Sequence, residues 1–239
     1  MSADALYLEG LRINTWRALL DPATCSTMAV MAATADDYGW VAGDLAIIEA
    51  YCLTLARGLT PTEFLARIGA RPEAPRAGLA ALYEPSYDLW ADNERRASSQ
   101  DFSLFIGVTA VPGDGGGWAL GVEINGFLGV TPEVIVPLSA GTRIVAHHRN
   151  VNANGRFYWV EDRDIRLHFE PLEPAYLEGS TPDAVVDVMR EVGFDFREDT
   201  ECEHSTEAAF ALAERLTGVR LTIGLLEESS YECGIARVP

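Results

Sequence analysis

The sequence contains no lysine: all 18 of its basic residues are arginines, set against 36 aspartates and glutamates for a formal net charge of -18. Arginines dispersed among so many acids leave no sustained basic stripe, which excludes phosphate-backbone binding and with it specific DNA or RNA recognition. Cysteine is scarce: Cys25, Cys52, Cys202 and Cys233 form no CxxC pair, and a chain of this length folds without disulfides, so all four read as reduced thiols. No window approaches the roughly 20 apolar residues of a membrane span. Met1 to Gly10 also lacks the basic start and apolar run of a signal peptide. The expectation is a cytoplasmic protein with no membrane contact. Arginine to the exclusion of lysine, with abundant Ala, Gly, Leu and Val, is the usage of a very GC-rich bacterial genome and says nothing about chemistry.

Signatures of familiar chemistries are missing as well. There is no Gly-x-Ser-x-Gly elbow, and no serine or cysteine stands in a strand-turn-helix context. The glycine-rich stretch Gly113-Asp114-Gly115-Gly116-Gly117 lacks the Lys-Ser/Thr of a P-loop and lies between two apparent strands, so it reads as a hairpin loop. Of the four histidines, His147 and His148 are strand neighbours pointing to opposite faces, and Cys202-Glu203-His204 has no second ligand pair nearby. No metal and no cofactor are expected.

What the chain does have is localised acidity. From Glu161 to Glu232 there are 19 acidic residues against 6 arginines, which is -13 of the total -18. The rest of the protein is only mildly acidic.

The first hundred residues read as helical. Asp44 is placed to cap a buried helix carrying Leu45, Ile47, Ile48, Tyr51, Cys52, Leu53 and Leu55, ended by Gly58. Glu49 on that helix reads as the partner of an arginine or as part of a narrow exposed stripe. Thr60-Pro61-Thr62-Glu63 is a capping-box start for the next helix. Prolines 72, 75 and 85 then interrupt the helical pattern, and the stretch to Gln100 reads as a linker.

From Phe102 the period changes to two. Strands are expected over Phe102 to Val111, Trp118 to Ile124, Thr142 to Arg149, Arg156 to Glu161 and Asp164 to Glu170; the first two read as a hairpin, and the second ends at the turn pair Asn125-Gly126. Helices return at Thr181-Pro182-Asp183 and at Thr206 to Thr217, with a weaker start at Thr222. The predicted fold is α+β over residues 1–239 as one unit: helical 1–100, an antiparallel sheet of about five strands in 102–171, and an acidic helical 172–239. Helices from both termini are expected on one face of the sheet.

Five ordered blocks carry a resemblance: Glu49-Ala50-Tyr51-Cys52-Leu53 through Arg57-Gly58, Gly117-Trp118-Ala119-Leu120 through Asn125-Gly126-Phe127, Arg149-Asn150-Val151-Asn152-Ala153, Phe169-Glu170-Pro171-Leu172, and Ala211 through Gly218. From about Asp36 onward the chain resembles an uncharacterised family of high-GC bacteria known only as a domain of unknown function. It departs from that pattern at Ile223-Gly224, where Pro-Glu is expected, and at the Pro112 to Gly117 loop. The resemblance implies no activity, cofactor or catalytic residue.

One polar constellation stands out. Alternation puts Arg143, His147 and Arg149 on one face of their strand and Arg166 and His168 on one face of theirs. If the two faces coincide, these five residues converge on a site for a carboxylate or phosphate. If not, they belong to the wet outer face that an antiparallel sheet commonly keeps. Two functions therefore stand open. The leading one is a non-enzymatic interaction protein, immunity-like or accessory, whose acidic C-terminal region meets a basic protein. The other is an enzyme or binder of a small anion acting through the Arg/His face.

Overall fold

The computed structural model describes residues 32–43, 49–96, 102–197 and 202–239, and within it residues from Ala33 to Pro239 make one compact unit. The run expected as a buried helix is instead a strand, β1 (Tyr51–Arg57), with only its last residue exposed. A central strand covered on both sides needs apolar residues at every position, so it loses the alternation that marks a half-buried strand and imitates a buried helix. Residues 44–48, which would have opened that helix, lie outside the described residues, and Glu49 is exposed in a turn.

The expected capping box is present at α1 (Pro61–Arg67): the Glu63 amide donates to Thr60 Oγ1 at 3.2 Å, and Glu63 Oε2 accepts the Thr60 amide at 2.9 Å. The stretch read as a linker is regular structure from Arg71 to Arg96, and its remaining residues, 97–100, lie outside the described residues. It holds an edge strand β2 (Arg71–Ala77), a 3-10 turn at Leu79–Leu82 and helix α2 (Tyr83–Arg96). Pro72 and Pro75 fit β2 because an edge strand leaves N–H positions unpaired.

The next strands, β3 (Ser103–Gly113) and β4 (Gly116–Ile124), form the expected hairpin, closed by a tight turn at Asp114-Gly115 that is shorter than the loop read over 112–117. The second strand ends at Asn125-Gly126, as expected. It leads into a 3-10 turn at Leu128–Val130 and helix α3 (Pro132–Leu138). Strands β5 (Arg143–Arg149), β6 (Gly155–Glu161) and β7 (Asp164–Phe169) follow as predicted, the last two joined through Asp162 and Arg163, both at positive φ. Helices α4 (Val186–Val192), α5 (Ser205–Thr217) and α6 (Ile223–Glu228) come next. The chain then returns as β8 (Ser230–Arg237), a strand not anticipated from the sequence.

Among the described residues the sheet therefore has eight strands, not about five, in the order β2-β8-β3-β4-β1-β5-β6-β7, with every neighbouring pair antiparallel. Its helices lie on both faces, not one. On the first, Tyr51, Leu53, Trp118, Leu120, Val145 and Phe157 pack with Tyr38 and with residues of α4, α5 and α6 such as Met189, Phe210 and Leu226. On the second, Cys52, Ala56, Ile106, Ala119, Ile144 and Val160 pack with Phe64 and Leu65 of α1, with Val130, and with Ile135 and Leu138 of α3. We call these the α5 face and the α3 face. The stretch 102–171 thus supplies five of these strands, β3 to β7, and the sheet is completed by two strands from before it, β1 and β2, and one from after it, β8.

Candidate functional site

The five candidate residues do not form one site. Arg143, His147 and Arg149 share the α5 face of β5, as alternation requires. The register shift between β6 and β7 falls between Trp159 and Val160, pairing Trp159 with Leu167 and Val160 with Ile165. Arg166 is the extra residue of this bulge, and His168 pairs with Tyr158 on the opposite, α3 face.

His147 is a core residue. It is 1% exposed, its Nδ1 shares a 3.2 Å hydrogen bond with the Tyr51 hydroxyl, and its ring meets Phe210 edge-on at 4.5 Å. Burial, aided by His148, pushes its pKa down to about 3 and keeps the imidazole neutral. Arg143 and Arg166 do come together, flanking the Trp159 ring at 5.5 and 5.9 Å from its centroid. Each is already engaged, Arg143 with Glu161 at 2.5 Å and Arg166 with Asp164 at 3.3 Å. His168 stacks on Tyr158 with ring centroids 4.3 Å apart, its Nδ1 3.8 Å from Glu178. Burial lowers its pKa more than Glu178 raises it.

The α3 face holds a polar group that sequence reasoning passed over. Glu123 of β4 is completely buried, and its two carboxylate oxygens accept the amide N–H groups of Leu128 (2.9 Å) and Gly129 (3.0 Å). Burial pushes its carboxyl up to about 7, against the lowering effect of these donors and of the neighbouring Cys52 thiol. Backbone passes so closely here that a Cβ on Gly129 would overlap Thr54 Oγ1 and lie 2.8 Å from Cys52 Sγ. The alternation Trp118, Leu120, Val122, Ile124 does place Glu123 on the other face, but with that face taken as wet an acid there carried no signal.

The remaining feature is the acidic helical layer on the α5 face. Among the described residues from Pro182 to Glu228 there are nine carboxylates and four arginines. All four arginines are consumed within the molecule: Arg190 by Asp187, Arg197 by Asp195, Arg215 by Glu191, and Arg220 by Asp37 and Glu214. Asp183, Glu203, Glu227 and Glu228 are exposed and take part in no ion pair.

A family model described as a family of unknown function (DUF6461) matches residues 31–239. The chain belongs to this family. The match begins two residues before the compact unit, which starts at Ala33. No curated protein matches the chain, and no solved structure matches it. Family membership thus brings no chemistry with it, and function has to be argued from the residues. Among the described residues, no group of three or more His, Cys, Asp or Glu is arranged to hold a metal ion. Nor is any helix there long and apolar enough to cross a membrane.

Proposed function

We propose that the protein is a non-enzymatic interaction protein that binds a basic partner through the acidic helical layer of the α5 face. The observation that carries this reading is the exhaustion of local arginine: every arginine from Pro182 to Glu228 already has a carboxylate, so the surplus acids stand uncompensated at the surface. A field of one sign speeds encounter with a surface of the other sign and repels nucleic acid. An immunity-like or accessory role fits such a surface. The setting we infer is the cytoplasm, where the buried Cys52, Cys202 and Cys233, free of disulfides, stay reduced.

The test is kinetic. Against a basic partner isolated at low salt, the association rate should fall as ionic strength rises, while dissociation changes little. Reversing Glu227 and Glu228 to arginine together should slow association without lowering Tm, because both are exposed and unpaired. An association rate indifferent to both salt and charge reversal would remove the electrostatic reading. The same surface predicts no saturable shift of DNA or RNA at physiological salt, and a tight gel shift would count against it.

A further inference from the structure

A groove of about 610 Å³ opens at the end of the sheet where β1 finishes and β5 begins. Arg57, Arg67 and Arg143 line it against only two carboxylates, Glu161 and Asp162, and Leu59 is the one apolar side chain in the lining. In a protein of net charge -18 this is a local reversal of sign.

The two carboxylates are occupied. Glu161 accepts the Nε–H of Arg143, whose Nη1 also donates to the Leu216 carbonyl at 3.1 Å. Asp162 accepts the Gly141 amide at 2.8 Å. Arg57 and Arg67 are not neutralised in the same way. Arg67 directs its Nη1 at the carbonyls of Leu138 (3.1 Å) and Ala140 (2.9 Å) at the end of α3, and among the described residues has no carboxylate within ion-pair distance. The Arg57 guanidinium donates no hydrogen bond among the described residues. It lies beside the β3–β4 turn. Its guanidinium lies so close to Gly115 in the β3–β4 turn that a Cβ there would overlap it, and the Arg57 carbonyl accepts the Thr142 hydroxyl at 2.5 Å.

Two exposed guanidiniums, one lying against a turn and one bonded to backbone carbonyls, bring forked N–H donors to the lining of one groove. We propose that this groove binds a small organic oxyanion, its phosphate or carboxylate group seated by Arg57 and Arg67 and its carbon part against Leu59. The volume admits a group larger than a bare anion. None of the residues involved belongs to the acidic layer, so this site stands or falls independently of the partner-binding reading.

Calorimetric titration of the whole protein with inorganic phosphate and with succinate tests it. One or both should bind saturably and weaken with added salt; phosphate alone assigns a phosphate group, and succinate alone a carboxylate. Arg57→Ala and Arg67→Ala should each reduce affinity about tenfold or more, the scale of a lost hydrogen bond to a charged group. Arg76→Ala, on the exposed edge strand β2, should leave binding unchanged. Arg67→Ala also removes two bonds to carbonyls, so if it lowers Tm the decision rests on Arg57→Gln, which keeps the size of the side chain and removes the charge. The inference is overturned if neither probe saturates with the wild type, or if Arg57→Gln binds as the wild type does.

Discussion

Replacing Glu123 by Gln will change how stability depends on pH, and the change will fall between pH 4.5 and about 7. In the folded protein the buried carboxyl holds its proton up to about pH 7, against an ordinary value of 4.5. Between those two values the folded state binds more protons than the unfolded one, so the contribution of Glu123 to stability is fully present below 4.5 and is lost as pH rises through about 7. A displacement of that size corresponds to about 3 kcal/mol. His147 and His148 act in the opposite sense at lower pH, because burial depresses them to about 3 and about 4. Their contribution grows as pH rises toward the ordinary histidine value of 6.5. The quantity to read is therefore the difference in unfolding free energy between Glu123→Gln and wild type from pH 5 to pH 8. That difference should move in favour of the variant from pH 5 up to about 7 and level off above it; a difference flat across the range would mean that Glu123 does not titrate there. Glu123→Ala removes the acceptor of two buried amides and leaves a cavity, and should cost about 3 kcal/mol or more at pH 5.

The second large effect is expected at Gly129. A methyl group there would overlap Thr54 Oγ1 and press on Cys52 Sγ, and both strand residues are buried in a closely packed face. Overpacking of this kind should cost about 3 kcal/mol in Gly129→Ala, measured by denaturant unfolding. Thr54 Oγ1 is buried without a hydrogen-bond partner, so Thr54→Ala by itself forfeits no hydrogen bond and should be nearly neutral. The double variant should then recover part of the loss, with Cys52 preventing full recovery. Strict additivity of the two changes would show that the clash with Thr54 is not the cause.

The sequence read most clearly where structure is local. The Thr60-Pro61-Thr62-Glu63 start, the turn between β6 and β7, and strands β5 to β7 depend on neighbours a few residues away, and they lie where the pattern places them. Helix α6 forms although Ile223 and Gly224 replace the expected Pro-Glu, because Thr222 still accepts the Leu225 amide at 3.1 Å. The reading of Tyr51 to Leu55 as helix failed because apolar residues at every position fit either a buried helix or a strand covered on both sides. Only the partners decide between them, and here they are β4 and β5. Strands β2 and β8 were hidden for a related reason. One carries prolines that an edge tolerates, and the other forms by pairing with strands more than a hundred residues earlier.

By itself, then, the chain determined its α+β class, its antiparallel pairing in the middle, and the concentration of acid in its last third, since each is written in composition or in short-range periodicity. Tertiary structure alone decided which residues meet. The period of two assigned Arg143, His147 and Arg149 to one face of β5, but a single bulge residue, Arg166, turned His168 to the other side of the sheet. The same long-range packing covered the face expected to be wet, burying Glu123. It also brought Arg57 and Arg67, from the end of one strand and the helix after it, to the mouth of one groove with Arg143. Register and the choice of covered face depend on contacts between segments far apart in sequence, and no local pattern encodes them.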